Sequence, residues 1–244
     1  MKIIALDATE AACSAALLDG DQIIQRCVTA ARQHNEQMLP MLQDLLAESS
    51  LSLKQLDGIA FARGPGSFTG IRIAAAVTQG IALASDLPVI PISSLRALAQ
   101  GVARQQGEHH IIAGFDARMQ EVYWGTYIVD NQGRVQQQGE EHLSSPETLA
   151  STFKGSDFIK HQKEPDPNHL SSPWVGAGSA WISYADSLQT ELASYLYTTY
   201  PTSITQAYDV AYLAADELAN HHYVSAEQAL PVYLRNRVAN KPRP

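Results

Sequence analysis

Short apolar runs alternate with longer amphipathic segments along this chain, and their order predicts its secondary structure. Residues 2–6 are largely apolar and end at Asp7, which is typical of a buried strand that stops at a corner. Two further strands are predicted at 13–18 and 22–30, separated by a polar turn. Residues 34–50 then carry apolar side chains at helical spacing. The chain therefore opens with three strands followed by a helix.

A glycine-rich turn follows the next apolar run, residues 58–63. The turn is Gly64-Pro65-Gly66-Ser67-Phe68-Thr69-Gly70, and an alanine-rich segment without proline continues from it to Ser85. This order predicts a strand, a turn and a helix, with Ser67 capping the helix. The backbone N–H groups at such a helix start could bind an anion. The residues fit none of the Walker, dinucleotide or nucleophile-elbow motifs, so a tight turn that lets the helix pack closely is the alternative.

The order of elements is repeated in the second half of the chain. Residues 111–115 form an apolar run that ends at Asp116, much as the first run ends at Asp7. Two antiparallel strands are predicted after it, at 121–129 and 134–142. No clear repeat of individual residues accompanies this repeat of elements. The pattern therefore predicts an α/β protein of two similar lobes.

We place the boundary between the lobes at the start of the second half. The first lobe comprises residues 1–106 and is joined by the C-terminal segment 225–244. The second lobe comprises residues 107–224, with an exposed, proline-containing loop at 154–173. A helix predicted at 207–222 falls in the second lobe by this division.

Net charge and cysteine usage narrow the classes of function. The 244-residue chain carries a net charge of −8, which argues against nonspecific attraction to nucleic acid. Residues 231–244 are the exception, because they include four basic residues and no acidic one; they are either a solvated tail or a dock for RNA or an acidic partner. Neither Cys13 and Cys27 nor the histidines have metal-ligand spacing, so these residues predict no metal site.

No apolar run is long enough to cross a bilayer, and the N-terminus lacks a signal-peptide pattern. We therefore expect a cytoplasmic protein that does not associate with membranes.

Asp7 and Asp116 are the candidates for chemistry, since each ends a predicted strand beside a hairpin. Either could be a general base or a magnesium ligand. A carboxylate that caps its own turn is an equally good interpretation. Arg118 lies two residues after Asp116, so an ion pair within the turn is the simpler hypothesis for that segment. From the residues alone, the chain shows no complete catalytic constellation.

Three segments are similar to the TsaB family, also called YeaZ, of bacterial proteins in the tRNA threonylcarbamoyladenosine (t6A) pathway. They are the glycine turn with its continuation Ile71-Arg72-Ile73, the segment from Asp116 to Tyr123, and Pro231 to Arg235. The resemblance implies a two-lobed, actin-like α/β fold (ASKHA, the sugar-kinase and Hsp70 type). Each lobe would then be a mixed five-stranded sheet with flanking helices.

The resemblance also implies a noncatalytic subunit that is a paralogue of the catalytic TsaD. TsaD transfers threonylcarbamoyl from threonylcarbamoyl-AMP to N6 of the adenosine at position 37 of tRNAs reading codons that begin with A. His34 and Met38 stand where TsaD has a metal-binding pair of histidines, so the second ligand is missing. The implied partners are a second copy (a homodimer when alone), TsaD in a heterodimer, TsaE, and tRNA through the assembled complex. No cofactor is implied, apart from weak nucleotide binding at the interface with TsaD.

Two sets of site residues follow. The degenerate phosphate loops comprise Asp7, Thr9, Gly64, Gly66, Ser67, Asp116 and Arg118. The surface for a second copy or TsaD comprises His34, Met38, Met41, Leu42, Leu45, Ile71, Arg72, Ala75 and Gln79. Helix 34–48 has more apolar surface than one face needs, and methionines repack readily around different partners. Helix 68–85 has rows of small residues over which a partner helix could lie closely.

Other interpretations stay open at this point. An actin-fold small-molecule kinase or ATPase with a degenerate phosphate site would use Asp7, Asp116 and the loop 176–178, and binding of magnesium nucleotide would distinguish it. A metal-dependent hydrolase of the TsaD type is disfavoured by Met38. The helix pair could also be buried within its own lobe, in which case no partner would reach it.

Overall fold

The computed structural model describes residues 1–10, 12–29, 34–156 and 174–235. Most of the predicted loop at 154–173 and the basic residues after 235 lie outside the described residues, as does the side chain of His34. Within the described ranges the chain forms two five-stranded mixed sheets with helices on their faces.

The first sheet has the strand order β3-β2-β1-β4-β5. Its strands are β1 (Lys2–Asp7), β2 (Ala12–Asp19), β3 (Gln22–Thr29), β4 (Gly58–Ala62) and β5 (Val89–Ile92). The first three form an antiparallel meander, and β4 and β5 are parallel to β1. The central strands are buried on both faces, which is why they are continuous apolar runs rather than alternating ones. Three helices come from this part of the chain: α1 (His34–Glu48), α2 (Phe68–Ser85) and α3 (Ser94–Gln106).

The second sheet repeats this arrangement in the order β10-β9-β6-β7-β8. Its strands are β6 (His110–Asp116), β7 (Val122–Val129), β8 (Val135–Ser144), β9 (Trp174–Ala177) and β10 (Leu196–Tyr200). The helices that follow are α4 (Pro146–Gly155), α5 (Ala180–Ser183), α6 (Ala185–Leu192) and α7 (Ala207–Ala219). Two sheets with the same order of meander and parallel strands confirm the two-lobed, actin-like fold.

The helices α3 and α7 are exchanged between the lobes, so the predicted division at residue 107 is wrong for both. Helix α3 packs on β6, β7 and β8 of the second sheet, and α7 packs on β1, β2 and β4 of the first. The two helices also contact each other and share one core with the inner faces of both sheets. Each sheet needs a helix over its inner apolar face, and the helix that meets this need comes from the other half of the chain.

The outer faces are covered locally. Helices α1 and α2 form a core with the outer face of the first sheet, and α4, α5 and α6 do so with the second. By length and composition α2 could cross a membrane, and it is the one such helix among the described residues. However, Ala74, Thr78 and Ala82 form a buried row on it, as expected of a helix that packs on a sheet.

Candidate functional site

A cavity of about 750 Å³ lies between the lobes. It forms where the turns after β1, β4, β6 and β9 meet, because parallel strands end at the same edge of each sheet. From the predicted phosphate loops it gathers Thr9, Gly66, Ser67, Asp116 and Arg118. Asp7 and Gly64 are buried and are not among its lining residues.

Sequence reasoning missed several lining residues. Tyr233 and Arg235 belong to the C-terminal segment that resembles the TsaB family, and that resemblance was the signal that could have found them. Ser179 comes after β9, directly following the loop 176–178 that the kinase alternative would use. Glu10 directly follows Thr9 of the first predicted phosphate loop, and that position was the signal that could have found it.

The glycine turn packs against the turn that follows β1. A Cβ on Gly70 would lie 1.7 Å from the carbonyl oxygen of Ala8, and one on Gly66 would lie 2.6 Å from that of Thr9. The backbone N–H of Ser67 donates to the Thr9 carbonyl at 2.7 Å. These contacts support the tight-turn interpretation, because a backbone N–H that already has an acceptor cannot also bind an anion well.

Asp7 is fully buried beneath the cleft and binds its own turn. Its Oδ1 accepts the backbone N–H of Thr9 at 3.0 Å and the Thr9 hydroxyl at 2.6 Å. Its Oδ2 has no hydrogen-bond partner among the described residues. Burial raises the pKa of Asp7 to about 7, because desolvation disfavours the charged carboxylate. The Thr9 hydroxyl is thus engaged by its own neighbour.

Glu10 places a second carboxyl group at the cleft. Its Oε2 accepts the backbone N–H of Thr205 at 3.1 Å. Burial raises the pKa of Glu10 to about 7, and the nearby Asp7 adds to the rise. A phosphate bound beside Glu10 would favour its protonated form further, since a second negative charge disfavours the carboxylate.

Asp116 is surrounded by donors from its own chain. Its Oδ1 accepts the Arg118 backbone N–H at 2.8 Å and the Tyr184 hydroxyl at 3.1 Å. Its Oδ2 accepts Arg118 Nη1 at 3.0 Å and the Ser183 hydroxyl at 3.1 Å. A general base or metal ligand needs an oxygen that is free to accept, and both oxygens here are occupied. The ion-pair interpretation of this turn therefore agrees with the geometry.

The predicted partner surface is wrong in most of its residues. Met38, Met41, Leu42 and Leu45 are buried in the core between α1 and the first sheet. They face inward because α1 packs on β2, whose outer side chains belong to the same apolar core.

Three predicted residues of α2 do not face outward either. Ile71 and Ala75 are buried, and the amide of Gln79 donates to the carbonyl oxygen of Ala229 at 3.1 Å. Arg72 is the predicted residue on α2 that is exposed.

The exposed face of the helix pair is built from other residues. On α2 it is the row Phe68, Arg72, Ala76, Gly80 and Ala84, spaced four residues apart, with Leu83 beside it. Phe68 and Leu83 expose 54% and 70% of their surface. On α1 the exposed apolar residues are Leu39, Pro40 and Ala47. We call these residues of α1 and α2 the outer helix face.

The fold and the cleft together define a two-lobed, actin-like protein whose cleft carboxylates are bound by the chain itself. The profile of the family described as TsaD: tRNA N6-adenosine threonylcarbamoyltransferase matches residues 28–242. The tRNA threonylcarbamoyladenosine biosynthesis protein TsaB of Escherichia coli (strain K12) is 36% identical over 244 residues, which is 100% of this chain and 99% of that protein. The TsaB of Haemophilus influenzae is 34% identical, over 100% of this chain and 98% of that protein.

A solved structure is similar over the same length. YeaZ from Pseudomonas aeruginosa has a TM-score of 0.81 at 37% identity, and the match covers 96% of this chain and 99% of that one. The chain belongs to the TsaB (YeaZ) family of tRNA threonylcarbamoyladenosine biosynthesis proteins. This confirms the resemblance seen in the three sequence segments.

Proposed function

We propose that this protein is a noncatalytic subunit of the t6A-forming system in the cytoplasm, and that a TsaD partner carries the catalysis. The observation that carries this proposal is the state of Asp116, whose two oxygens accept four donors from Arg118, Ser183 and Tyr184. In an actin-like fold this aspartate would be the candidate to hold a metal or accept a proton. Here its carboxylate is paired with Arg118 instead.

The other side of the cleft supports the same proposal. Phosphoryl transfer depends on metal ions and hydrogen-bond donors placed around the phosphates. The Thr9 hydroxyl donates to Asp7 instead, so it is not free to donate to a phosphate. The residues present do not fit a magnesium nucleotide, so the kinase or ATPase alternative is not favoured and no resident cofactor is proposed.

The outer helix face is the proposed surface for partners. Ala76 and Gly80 would let a partner helix approach closely, and Phe68 and Leu83 would be covered by it. We propose that a second copy occupies this face when the protein is alone and that TsaD replaces it in a heterodimer. TsaE would join the assembly, and tRNA would be reached through it.

Reconstitution with omissions tests this function. We expect tRNA modification from threonylcarbamoyl-AMP to require both this protein and TsaD, and the pure protein to give no product and no nucleotide hydrolysis. The folded variants Asp116→Asn and Arg118→Ala should leave the chemical step of the complex unchanged, because on this proposal neither side chain touches the substrate. Turnover by the pure protein that is lost in Asp116→Asn would contradict the proposal.

A further inference from the structure

The residues Pro231–Arg235 cross from one lobe to the other along the side of the cleft. Val232 donates its backbone N–H to the carbonyl oxygen of Arg63 at 2.9 Å, at the end of β4 in the first lobe. Three residues later, Arg235 reaches the turn between β6 and β7 in the second lobe. The segment therefore has one attachment on each side.

The attachment to the first lobe has two parts. The Val232 carbonyl oxygen lies only 3.0 Å from where a Cβ on Gly64 would stand, and Gly64 has a φ of 104°, so the close approach and the backbone conformation both favour glycine there. The Tyr233 hydroxyl accepts Arg72 Nε at 2.8 Å. The Arg72 guanidinium in turn lies 3.5 Å above the Phe68 ring. Backbone and side chains thus hold the segment to the start of α2.

The attachment to the second lobe is the guanidinium of Arg235. Its Nη2 donates to the carbonyl oxygen of Ala117 at 3.0 Å and lies 2.7 Å from Oε2 of Glu121. The Arg235 side chain is only 13% exposed. A charge-assisted hydrogen bond that is shielded from water is stronger than a neutral or exposed one.

The turn that Arg235 binds is itself unusual. Arg118, Met119 and Gln120 have φ angles of 62°, 55° and 60°, so three consecutive residues with side chains are left-handed. This conformation is disfavoured for residues other than glycine and persists where the surroundings hold it. Arg235 binds the carbonyl that enters the turn and the carboxylate that leaves it, so it stabilises the turn from both ends.

We propose that Pro231–Arg235 is a strap that holds the two lobes at one angle, with Arg235 as its attachment to the second lobe. The helices α3 and α7 join the lobes on the inner side of the sheets, where the core is continuous. The cleft is the side on which the lobes can separate, and the strap spans it. This concerns the lobe angle and does not depend on the proposed function.

Hydrogen exchange on the full chain tests the strap. In Arg235→Ala we expect the backbone amides of Val232, Ala117 and Glu121 to exchange about tenfold to hundredfold faster, as follows from losing a charged hydrogen bond. The strands β1 and β2 should exchange at the wild-type rate. Arg26→Ala is the matched control, since it removes an exposed arginine paired with Glu48 within the first lobe, and it should leave the three amides unchanged.

A distance measurement across the cleft is the second test. Spin labels at Thr69 and Ile182, both exposed, can be introduced in a Cys27→Ser background and diluted with unlabelled protein. We expect one narrow distance distribution in the otherwise native protein and a broader, longer one in Arg235→Ala. If Arg235→Ala does not fold, Glu121→Gln should give the same changes at smaller amplitude. Unchanged exchange and an unchanged distribution in a folded variant would overturn the proposal.

Discussion

Arg104 on α3 binds Asp209 on α7 through two parallel hydrogen bonds. Arg104 Nε lies 2.9 Å from Oδ1 and Nη2 lies 3.0 Å from Oδ2 of the carboxylate. The Asp209 side chain is fully buried, while Arg104 is one-third exposed and also stacks on the Tyr208 ring at 4.2 Å. The pair joins the two exchanged helices at the point where each has crossed to the other lobe.

Removing this pair should therefore weaken the joint between the lobes. We expect Asp209→Ala to lower the free energy of unfolding by about 2–3 kcal/mol, below the usual cost of breaking a buried pair because Arg104 can still reach water. Urea denaturation measures the change. Glu191→Ala, which breaks an exposed pair with Lys154, should cost less than about 1 kcal/mol. Equal losses of unfolding free energy in the two variants would mean that the Arg104–Asp209 pair has no special role in joining the lobes.

Asp7 should make stability fall as pH rises. Its pKa in the folded protein is raised to about 7 from 3.8, so the folded state holds its proton more tightly than the unfolded state. The loss of folding free energy caused by ionising Asp7 is absent below about pH 4. It grows between about pH 4 and 7 and is complete above about pH 7. We expect Asp7→Asn to gain roughly 2 kcal/mol more at pH 8 than at pH 5, an order-of-magnitude figure because Glu10 titrates with it.

Urea denaturation at several pH values checks this prediction. Asp44→Asn is the matched control, since Asp44 is an exposed acid on α1, and such a surface substitution should change the free energy of unfolding by less than about 0.5 kcal/mol. A gain in Asp7→Asn that does not grow with pH would show that burial does not hold the proton on Asp7.

The two glycines of α2 should respond in opposite directions to alanine. Gly70→Ala places a Cβ 1.7 Å from the Ala8 carbonyl, so the turn must shift, and we expect a loss of about 2–4 kcal/mol. A Cβ on Gly80 meets nothing within 4 Å, so Gly80→Ala should gain up to about 1 kcal/mol from helix propensity. Thermal denaturation of both variants checks the contrast, and a neutral Gly70→Ala would contradict the packing.

Substitutions on the outer helix face should change partner binding, whereas substitutions on the buried face of α1 should change stability. We expect Ala76→Glu to abolish self-association and TsaD binding together while the melting transition stays cooperative, because the charge lies on the exposed row. The control Ala193→Glu changes an exposed alanine of the second lobe and should affect neither. Sedimentation and co-purification measure both.

Leu45→Ala on α1 should lower stability without preventing self-association. Leu45 is fully buried, so we expect it to lose about 2–5 kcal/mol of stability while the folded fraction still self-associates. A dimer that survives Ala76→Glu would contradict the proposed surface.

The local elements of this protein were predictable from its sequence. The strands end at Asp7 and Asp116, and α2 runs from Phe68 to Ser85, as the apolar runs and the capping Ser67 indicate. These features depend on neighbours within a few residues. The period of the apolar side chains, the capping hydroxyl and the turn residues all act locally. The repeated order of elements predicted two lobes, and the family resemblance added their actin-like fold and the C-terminal segment.

Only the tertiary structure decided which surfaces those elements bury. Periodicity shows that Met38 and Leu45 share a face of α1, but the sheet beneath decides that this face is inside. The exchange of α3 and α7, the position of Glu10 at the cleft, and the contact of Arg235 with Glu121 all join residues far apart in sequence. Such contacts form where whole surfaces of the folded chain fit together. The pattern of a short segment does not specify which surface it will pack against.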